Sequence, residues 1–282
     1  MEGAKNTLYI VGNGFDLHHG IQSSYWNYMK WLETNFPQLF KEIEHTFRGA
    51  TEESWWADFE SGLGHVDWFY NVNSATSSVY KVGNVEVKGK KSPSRLMALY
   101  DAIQESFSQW IKSLDAQVKT VSPDLDVEIN ARFLTFNYTN TLQNAYGVPN
   151  ENILHIHGNA ERGDKLVVGH NTNGQKFPII QEELVGMVPG TMKMKKTINA
   201  FRKPTMVLIS AYQSFFDSLF DVQHVVVFGF SFSTVDMTYV KELVNHLPDG
   251  VLWSVFVHSD RDKKRIETIK GELDLNIEYI DW

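Results

Sequence analysis

Residues 8–11 (Leu-Tyr-Ile-Val) form a short apolar run that ends in a glycine turn. The run carries no charge and is rich in β-branched and aromatic residues, as expected for a parallel strand that is covered on both faces. Gly12 and Gly14 lack side chains where a ligand or another backbone would approach. Asp16 follows, and its carboxylate can cap the next helix or accept a ligand hydroxyl. This stretch predicts the first strand of an α/β sheet and a ligand-binding turn, with a purely structural turn as the alternative.

Composition narrows the class of protein. The 282 residues suffice for one large domain, and the 43% hydrophobic fraction predicts a folded core. The net charge of -8 disfavours nucleic acid and anionic membranes as partners. The absence of cysteine excludes disulfides and thiolate zinc sites. Since no apolar run approaches the roughly 20 residues of a membrane span and no signal-peptide pattern opens the sequence, we expect a cytoplasmic protein.

The second strand of this sheet is predicted at 132–136, about 120 residues after the first. A simple strand-helix-strand unit takes only about 30 residues. Residues between them show helical spacing, with Pro37 as a break and 64–94 as a hairpin or loop without a core element. We therefore expect one α/β domain over 1–282, with a mostly helical insertion over 23–128 that could roof the ligand site.

The remaining sequence alternates strand and helix patterns, which predicts a doubly wound, mostly parallel sheet. The predicted strands are 153–156, 166–168, 225–228, 252–257 and 277–280. The predicted helices are 139–146, several segments through 219, 234–247 and 261–269.

Four predicted strands end in polar residues, and the carboxyl ends of parallel neighbours converge on one cleft. We therefore expect these strand ends to form the site. The candidate residues are Gly12, Asn13, Gly14, Phe15 and Asp16 after the first strand, Asn137 and Thr139 after the second, His157 after the third, and Gly229, Ser231, Ser233 and Asp236 after the fourth.

Simpler explanations stand beside several candidates. Asn137 can be an ordinary turn residue, and Ser231 and Ser233, with Thr234, can cap the next helix, whose N-terminus would also attract an anion. We expect His155 and His157 to face opposite sides and favour His157 for the site, because Gly158 would end the strand and leave that ring accessible.

Metal and nucleic-acid readings are weaker. A metal site of His155, His157 and His170 with a carboxylate is disfavoured by the expected opposite facing of the first pair. Basic residues near residue 200 are interpreted as a solvated helix face rather than a nucleic-acid patch. These residues are Lys193, Lys195, Lys196, Arg202 and Lys203.

Residues 8–16 resemble the opening of the AbiH family of bacterial phage abortive-infection proteins. Three later blocks resemble that family in the same order: Trp56-x-x-Phe59-Glu60, residues 133–139 (Phe-Leu-Thr-Phe-Asn-Tyr-Thr) and residues 155–158 (His-Ile-His-Gly). The resemblance runs nearly end to end. It implies a bacterial protein with a role in anti-phage defence and supplies no reaction.

The same blocks are more distantly similar to the sirtuin-like, Rossmann-like NAD-binding fold. Its G-A-G-x-S turn corresponds to residues 12–16, its T-x-N-x-D segment to 135–139, its catalytic histidine before glycine to His157, and its late G-x-S block to 229–231. Asp16 replaces serine and Thr139 replaces the aspartate that helps to hold nicotinamide. Without cysteine the zinc module of protein deacylases is impossible, so the zinc-free relatives that hydrolyse NAD are the better comparison.

These resemblances imply an anti-phage effector, a possible NAD glycohydrolase, with NAD as substrate and no bound cofactor. Asn137 would orient ribose hydroxyls or the attacking water, and His157 would accept a proton. The glycine turn and Ser231 would seat the pyrophosphate, while Asp16 would meet a ribose hydroxyl. The alternative is a non-catalytic sensor that binds a nucleotide or a phage component. We also expect a phage trigger and a homo-oligomer.

Overall fold

Six parallel strands form the main sheet, in the order β5-β4-β1-β6-β7-β8. The computed structural model describes residues 6–67, 79–89, 92–171 and 191–282. The sheet strands are β1 (Thr7–Val11), β4 (Arg132–Thr135), β5 (Ile153–His155), β6 (His224–Phe228), β7 (Leu252–Val257) and β8 (Asn276–Asp281). A separate antiparallel hairpin consists of β2 (Tyr80–Val82) and β3 (Val85–Val87). The prediction of a mostly parallel sheet is confirmed.

Helices connect these strands. Among the described residues they are α1 (Asn13–His18), α2 (Tyr25–Asn35), α3 (Pro37–Thr46), α4 (Glu53–Ala57), α5 (Phe59–Gly62), α6 (Pro93–Ser113), α7 (Asp115–Val118), α8 (Thr141–Tyr146), α9 (Thr191–Ala200), α10 (Thr205–Ala211), α11 (Gln213–Asp217), α12 (Met237–His246) and α13 (Asp260–Leu273), with 3-10 turns at Asn150–Asn152 and Ser218–Asp221. None of the helices in the described ranges is long and apolar enough to cross a membrane.

The central strand β1 is buried along its whole length. Leu8 and Ile10 pack into one hydrophobic cluster, and Tyr9 and Val11 pack into another. Both faces of the strand are therefore covered, which explains why the run has no polar alternation. Its register places Val11 opposite Thr135 of β4 and Phe228 of β6.

The chain divides into two compact units. The first comprises Met1–Ser23, Ile111–Leu166 and Pro204–Trp282, and the second comprises Ser24–Trp110 and Val167–Lys203. The first stretch of the second unit lies within the insertion predicted over 23–128. Its second stretch was assigned to the α/β domain by the sequence pattern.

The second unit has an aromatic core and buried ion pairs. Tyr28, Trp56 and Phe59 are fully buried in it. Lys203 Nζ lies 2.9 Å from Glu60 Oε2, and the lysine is only 4% exposed. The interpretation of Lys203 as part of a solvated basic face is therefore wrong, because a buried carboxylate compensates its charge. The burial of Lys193 lies outside what is described, whereas Lys195, Lys196 and Arg202 are exposed.

Three further predictions differ from the structure. No strand forms over 166–168: Leu166 and Val168 are buried, but the nearest pairing is an isolated bridge from His170 to Arg202. The region 64–94 does contribute to a core, since the hairpin buries Val82 and Val87 completely. The rest of that region, 68–78 and 90–91, lies outside the described residues, as does 172–190 of the helical stretch predicted through 219.

Candidate functional site

The four strands whose carboxyl ends carry the candidate residues are parallel neighbours, as predicted. They lie in the order β5-β4-β1-β6, and the register aligns the last residues of each pair: Val11 with Thr135 and with Phe228, and Thr135 with His155. The loops that follow them all begin at the same edge of the sheet. This edge belongs entirely to the first unit.

The glycines at this edge pack against one another, and we call Gly12, Gly14 and Gly229 the glycine joint. The backbone N–H of Gly12 donates to Phe228 O at 2.9 Å, and that of Gly14 donates to Gly229 O at 2.9 Å. A Cβ on Gly229, whose φ is +59°, would lie 2.2 Å from Phe15 N. The close contact between the loops after β1 and β6 thus requires these glycines. The N–H groups of Gly12 and Gly14, which were predicted to bind a pyrophosphate, already donate to backbone carbonyls of the protein.

The neighbours of the glycine joint have structural contacts. Phe15 is fully buried and packs against the rings of Tyr146 and Phe228. Its side chain is part of the core, so a binding role is confined to its backbone. Asn13 is exposed, and its Nδ2 donates to Ser23 O at 3.1 Å.

Asp16 is buried at the junction of β1 and β4 and is 1% exposed. Its carboxylate accepts hydrogen bonds from Thr139 Oγ1 at 2.6 Å and from Thr141 Oγ1 at 2.7 Å. We call Asp16, Asn137, Thr139 and Thr141 the Asp16 cluster. The predicted capping role is wrong, because Gly12 stands at the N-cap of α1 and no side chain caps that helix.

The environment of Asp16 opposes its charge. Burial raises the pKa of the Asp16 carboxyl above its ordinary value, and hydrogen bonds from Thr139 and Thr141 offset part of that rise. Each carboxylate oxygen already has a hydroxyl donor from the protein. If a ribose hydroxyl donates to Asp16 as predicted, it must therefore approach a carboxylate that already accepts from Thr139 and Thr141.

His155 lies in a buried polar network. Its Nδ1 donates to Asn137 O at 3.0 Å, and its Nε2 accepts from Gln143 Nε2 at 2.9 Å and Asn159 Nδ2 at 3.1 Å. This partner set assigns the neutral tautomer with the proton on Nδ1. Burial lowers the pKa of His155 to about 4, so the ring is neutral at pH 7.

The network continues into the loop after β5. Asn159 Nδ2 also donates to Oδ1 of Asn140, and Nδ2 of Asn140 donates to Glu161 Oε2. Sequence reasoning did not select Thr141, Gln143, Asn159 or Asn140. Their only signal was polar residues at the start of a short helix and directly after a strand end, a pattern that is common in loops.

His157 has different surroundings from His155. The two were expected to face opposite sides, but residues two apart in a strand share a face. Their side chains have different surroundings because β5 ends at His155 and the chain then turns at Gly158, which has a φ of +86°. His157 is 2% exposed, so the expectation of an accessible ring is wrong.

The His157 ring lies near a residue that follows β4 and near residues of α12 and its N-cap. It lies against Phe136 at a centroid distance of 5.4 Å and against Tyr239 at 5.5 Å. Its Nε2 lies 3.6 Å from Oδ1 of Asp236. Asp236 follows β6, so the loop after β6 reaches the loop after β5 across the ends of β1 and β4.

The loop from Gly229 to Asp236 holds the remaining candidates. Ser231 is exposed and its carbonyl accepts from Arg265, while Ser233 Oγ donates to Asp236 Oδ2 at 3.3 Å. Asp236, rather than a serine or Thr234, occupies the N-cap of α12, without a side-chain cap bond. A carboxylate at this helix end disfavours the predicted anion site. Phe232, which lies between Ser231 and Ser233, is buried and has a φ of +50°. This backbone conformation costs free energy for a bulky residue.

A small cavity opens beside the Asp16 cluster and measures about 220 Å³. Drug-sized ligands usually occupy about 300–1,000 Å³, so this cavity accommodates only part of a nucleotide. Its lining is Ile111, Lys112, Asp115, Val118, Tyr138, Thr139, Asn140, Ala160 and Glu161.

The alternative metal site is not supported by the geometry. Both nitrogens of His155 have protein partners, and His170 Nε2 bonds Ile198 O. Within the described ranges, no group of three or more His, Asp or Glu side chains is arranged to hold a metal ion.

Comparison with known protein families gives a match over most of the chain. The sequence profile of the family described as "Bacteriophage abortive infection AbiH" matches residues 8–257, which include every candidate residue of the site. No curated protein matches the chain.

Proposed function

The chain belongs to the AbiH family of bacteriophage abortive-infection proteins, and from this premise we propose that it arrests infected cells by hydrolysing NAD or a related nucleotide at its N-glycosidic bond. The observation that carries the proposal is the pairing of His157 with Asp236 across the carboxyl ends of four parallel strands. An imidazole beside a carboxylate is a general-base arrangement, and distances near 3.6 Å commonly tighten when substrate binds.

The proposed reaction breaks the bond between the ribose C1′ and the nicotinamide nitrogen. Nicotinamide leaves as a neutral molecule, so the group to be stabilised is a ribosyl cation, as in glycoside hydrolysis. Water adds to C1′ and gives its proton to His157, whose positive charge Asp236 then offsets. Asn137 orients the ribose hydroxyls or the attacking water.

The fold supports a dinucleotide as the class of substrate. The chain builds the sheet outward from β1 in both directions, which is the order of doubly wound dinucleotide-binding sheets. In such sheets ligands bind outside the carboxyl ends of the strands, at the point where the order reverses. That point lies between β1 and β6, beside the glycine joint.

The buried state of His157 favours a gated site. With 2% of its surface exposed, the imidazole reaches substrate only after a local rearrangement. We propose that a phage-derived trigger or self-association provides it. Size-exclusion chromatography with light scattering tests the second route; a monomer both with and without NAD would count against it.

The reaction is tested by incubating the purified protein with NAD and following nicotinamide and ADP-ribose by chromatography, with and without lysate from phage-infected cells. We expect cleavage by the wild type and at least a hundredfold loss in His157→Ala, as is usual for a general base. A loss of similar size is expected in Asn137→Ala, because the variant no longer orients the reacting groups. His224→Ala is the matched control, because His224 lies at the opposite end of β6. Full activity in His157→Ala would reject the assignment.

A non-catalytic sensor is the second candidate, and the small cavity favours it, because about 220 Å³ suits recognition of a small group better than enclosure of a dinucleotide. Calorimetry distinguishes the two functions. Saturable binding of NAD without products over hours would identify the sensor.

A further inference from the structure

The side chain of Asn137 ends in a carboxamide whose oxygen atom is buried. Its Oδ1 has no hydrogen-bond partner among the described residues, although the residue is only 6% exposed. The backbone of the same residue is held on both sides, since its N–H donates to Thr135 Oγ1 at 3.1 Å and its carbonyl accepts from His155 Nδ1 at 3.0 Å. A buried acceptor without a donor costs free energy. The side-chain oxygen of Asn137 therefore indicates a place where a ligand can donate a hydrogen bond.

The neighbouring carboxylate decides which way the carboxamide points. Asp16 accepts from two threonine hydroxyls, and the Asn137 side chain also lies within hydrogen-bonding reach of it. A carboxylate only accepts hydrogen bonds. It therefore attracts Nδ2 of Asn137 and would repel Oδ1 if the carboxamide turned over.

We propose that Asp16 is a positioning residue that fixes the Asn137 carboxamide with Nδ2 toward its carboxylate and Oδ1 toward the site, so that the site selects a ligand presenting a hydrogen-bond donor. On the proposed function, on which this last step rests, the donor is a hydroxyl of the nicotinamide ribose. Asp16 thus acts through Asn137, whereas the sequence pattern assigned it a direct contact with ribose.

The orientation is tested without ligand by nuclear magnetic resonance of side-chain amides in ¹⁵N-asparagine-labelled protein. We expect the Asn137 NH₂ protons to exchange with solvent at least tenfold more slowly than those of exposed Asn13. Asp16→Asn should remove this protection. Asp221→Asn, which removes a carboxylate near the amino end of β4, where it pairs with Arg132, should retain it. Unchanged protection in Asp16→Asn would overturn the proposal.

A second variant covers the case in which Asp16→Asn does not fold. Asn137→Asp places two carboxylates against each other, and one of them must then bind a proton. We expect its melting temperature to rise between pH 8 and pH 5 by more than that of the wild type. An equal change in both proteins would show that residue 137 does not face Asp16.

The choice of ligand is tested by calorimetry in the His157→Ala background, with NAD and with analogues in which fluorine replaces the 2′- or the 3′-hydroxyl of the nicotinamide ribose. One analogue should bind at least about tenfold more weakly than NAD, and adding Asp16→Asn should reduce that difference to within about threefold. Equal binding of NAD and both analogues would overturn donor selection. If NAD itself does not bind, the proposed function fails, while the amide measurements still decide the role of Asp16.

Discussion

The glycine joint and the Asp16 cluster lie at the same edge of one sheet and are built in opposite ways. In the joint, backbone meets backbone: Gly12 donates to the carbonyl of Phe228 at the end of β6, and Gly14 donates to the carbonyl of Gly229. Side chains are excluded, because a Cβ on Gly229 would lie 2.2 Å from a backbone nitrogen. In the cluster, side chains meet around a buried carboxylate. The joint is saturated by the protein itself, whereas the cluster retains an acceptor, Asn137 Oδ1, that has no partner among the described residues.

The glycine turn has the sequence of a ligand-binding motif, but its hydrogen bonds are made within the protein. The Asp16 cluster has no such motif, yet it retains an acceptor that can bind a ligand. A glycine turn after a strand predicts ligand approach, but the same glycines serve equally when a second loop needs the space. Buried polar side chains cost free energy unless they are paired. An incompletely paired cluster is thus the better guide to the site.

The largest effect should come from the glycine joint. Gly229→Ala places a methyl group on Phe15 N at a left-handed φ, so we expect unfolding or a loss of more than about 4 kcal/mol in the free energy of unfolding. Gly250→Ala is the matched control: its φ is +72° but no atom lies within 4 Å, so only about 1–2 kcal/mol should be lost. Urea denaturation measures both, and similar losses would show that φ alone, not loop contact, demands glycine.

The next effect concerns pH. His155 has a pKa of about 4 when folded and about 6.5 when unfolded, so between these values the unfolded chain binds the proton first. Its contribution to stability is complete above pH 6.5 and is lost as the pH falls, by about 2 kcal/mol at pH 5. The raised pKa of Asp16 acts in the opposite direction.

Comparison with His155→Gln isolates this contribution, because the variant retains Asp16. Urea midpoints at pH 7.5 and pH 5 should show a larger acid-induced loss in the wild type than in the variant. The same loss in both proteins would place the acid sensitivity elsewhere.

A comparable or slightly smaller effect is expected within the Asp16 cluster. Thr139→Val keeps the shape of the side chain but removes a hydroxyl that donates to a buried carboxylate, and we expect a loss of about 2 kcal/mol. Thr139→Ser keeps the hydroxyl and should lose less than about 1 kcal/mol. Thermal unfolding of the two variants side by side tests this order; an equal loss would attribute the effect to packing.

The smallest effect should come from the exposed start of α1. Asn13→Ala removes one hydrogen bond to Ser23 O from an exposed residue, and we expect less than about 1 kcal/mol. Its NAD-cleavage rate is the sharper measurement. A loss of the proposed NAD cleavage at unchanged stability would show that the turn beside the glycine joint takes part in binding.

The sheet was predictable because its strands carry strong patterns. The uncharged apolar runs of β1, β6 and β7 predict strands that are buried on both faces, and their alternation with helices predicts a parallel sheet. The run at 166–168 has the same apolar content, yet its residues do not form a strand. Hydrophobicity reports burial, and strand formation also needs a neighbour that local sequence does not reveal.

The position of the candidate residues was predictable at the level of strand ends, whereas their contacts were not. Sequence reasoning brought Asn137, His157 and Asp236 to one edge of the sheet. It missed Thr141, and it considered His155 only as the strand neighbour of His157 and as a metal ligand. Their roles depend on tertiary contacts of Asp16 and Asn137. Likewise, Lys203 was assigned to solvent because its partner Glu60 is more than 100 residues away in the sequence.

The order of strands in the sheet also governs how the protein is made. The ribosome synthesises β1 first, but its two neighbours in the sheet, β4 and β6, follow roughly 120 and 210 residues later. At about 5–20 residues per second, β1 waits on the order of 10–40 s for its last partner. During that interval β1 lacks one of its two neighbours, and a chain that ends before β6 has neither Asp236 nor a closed glycine joint. In a chain with this topology, the glycine joint and the contact between His157 and Asp236 therefore form only after residue 236 has been synthesised.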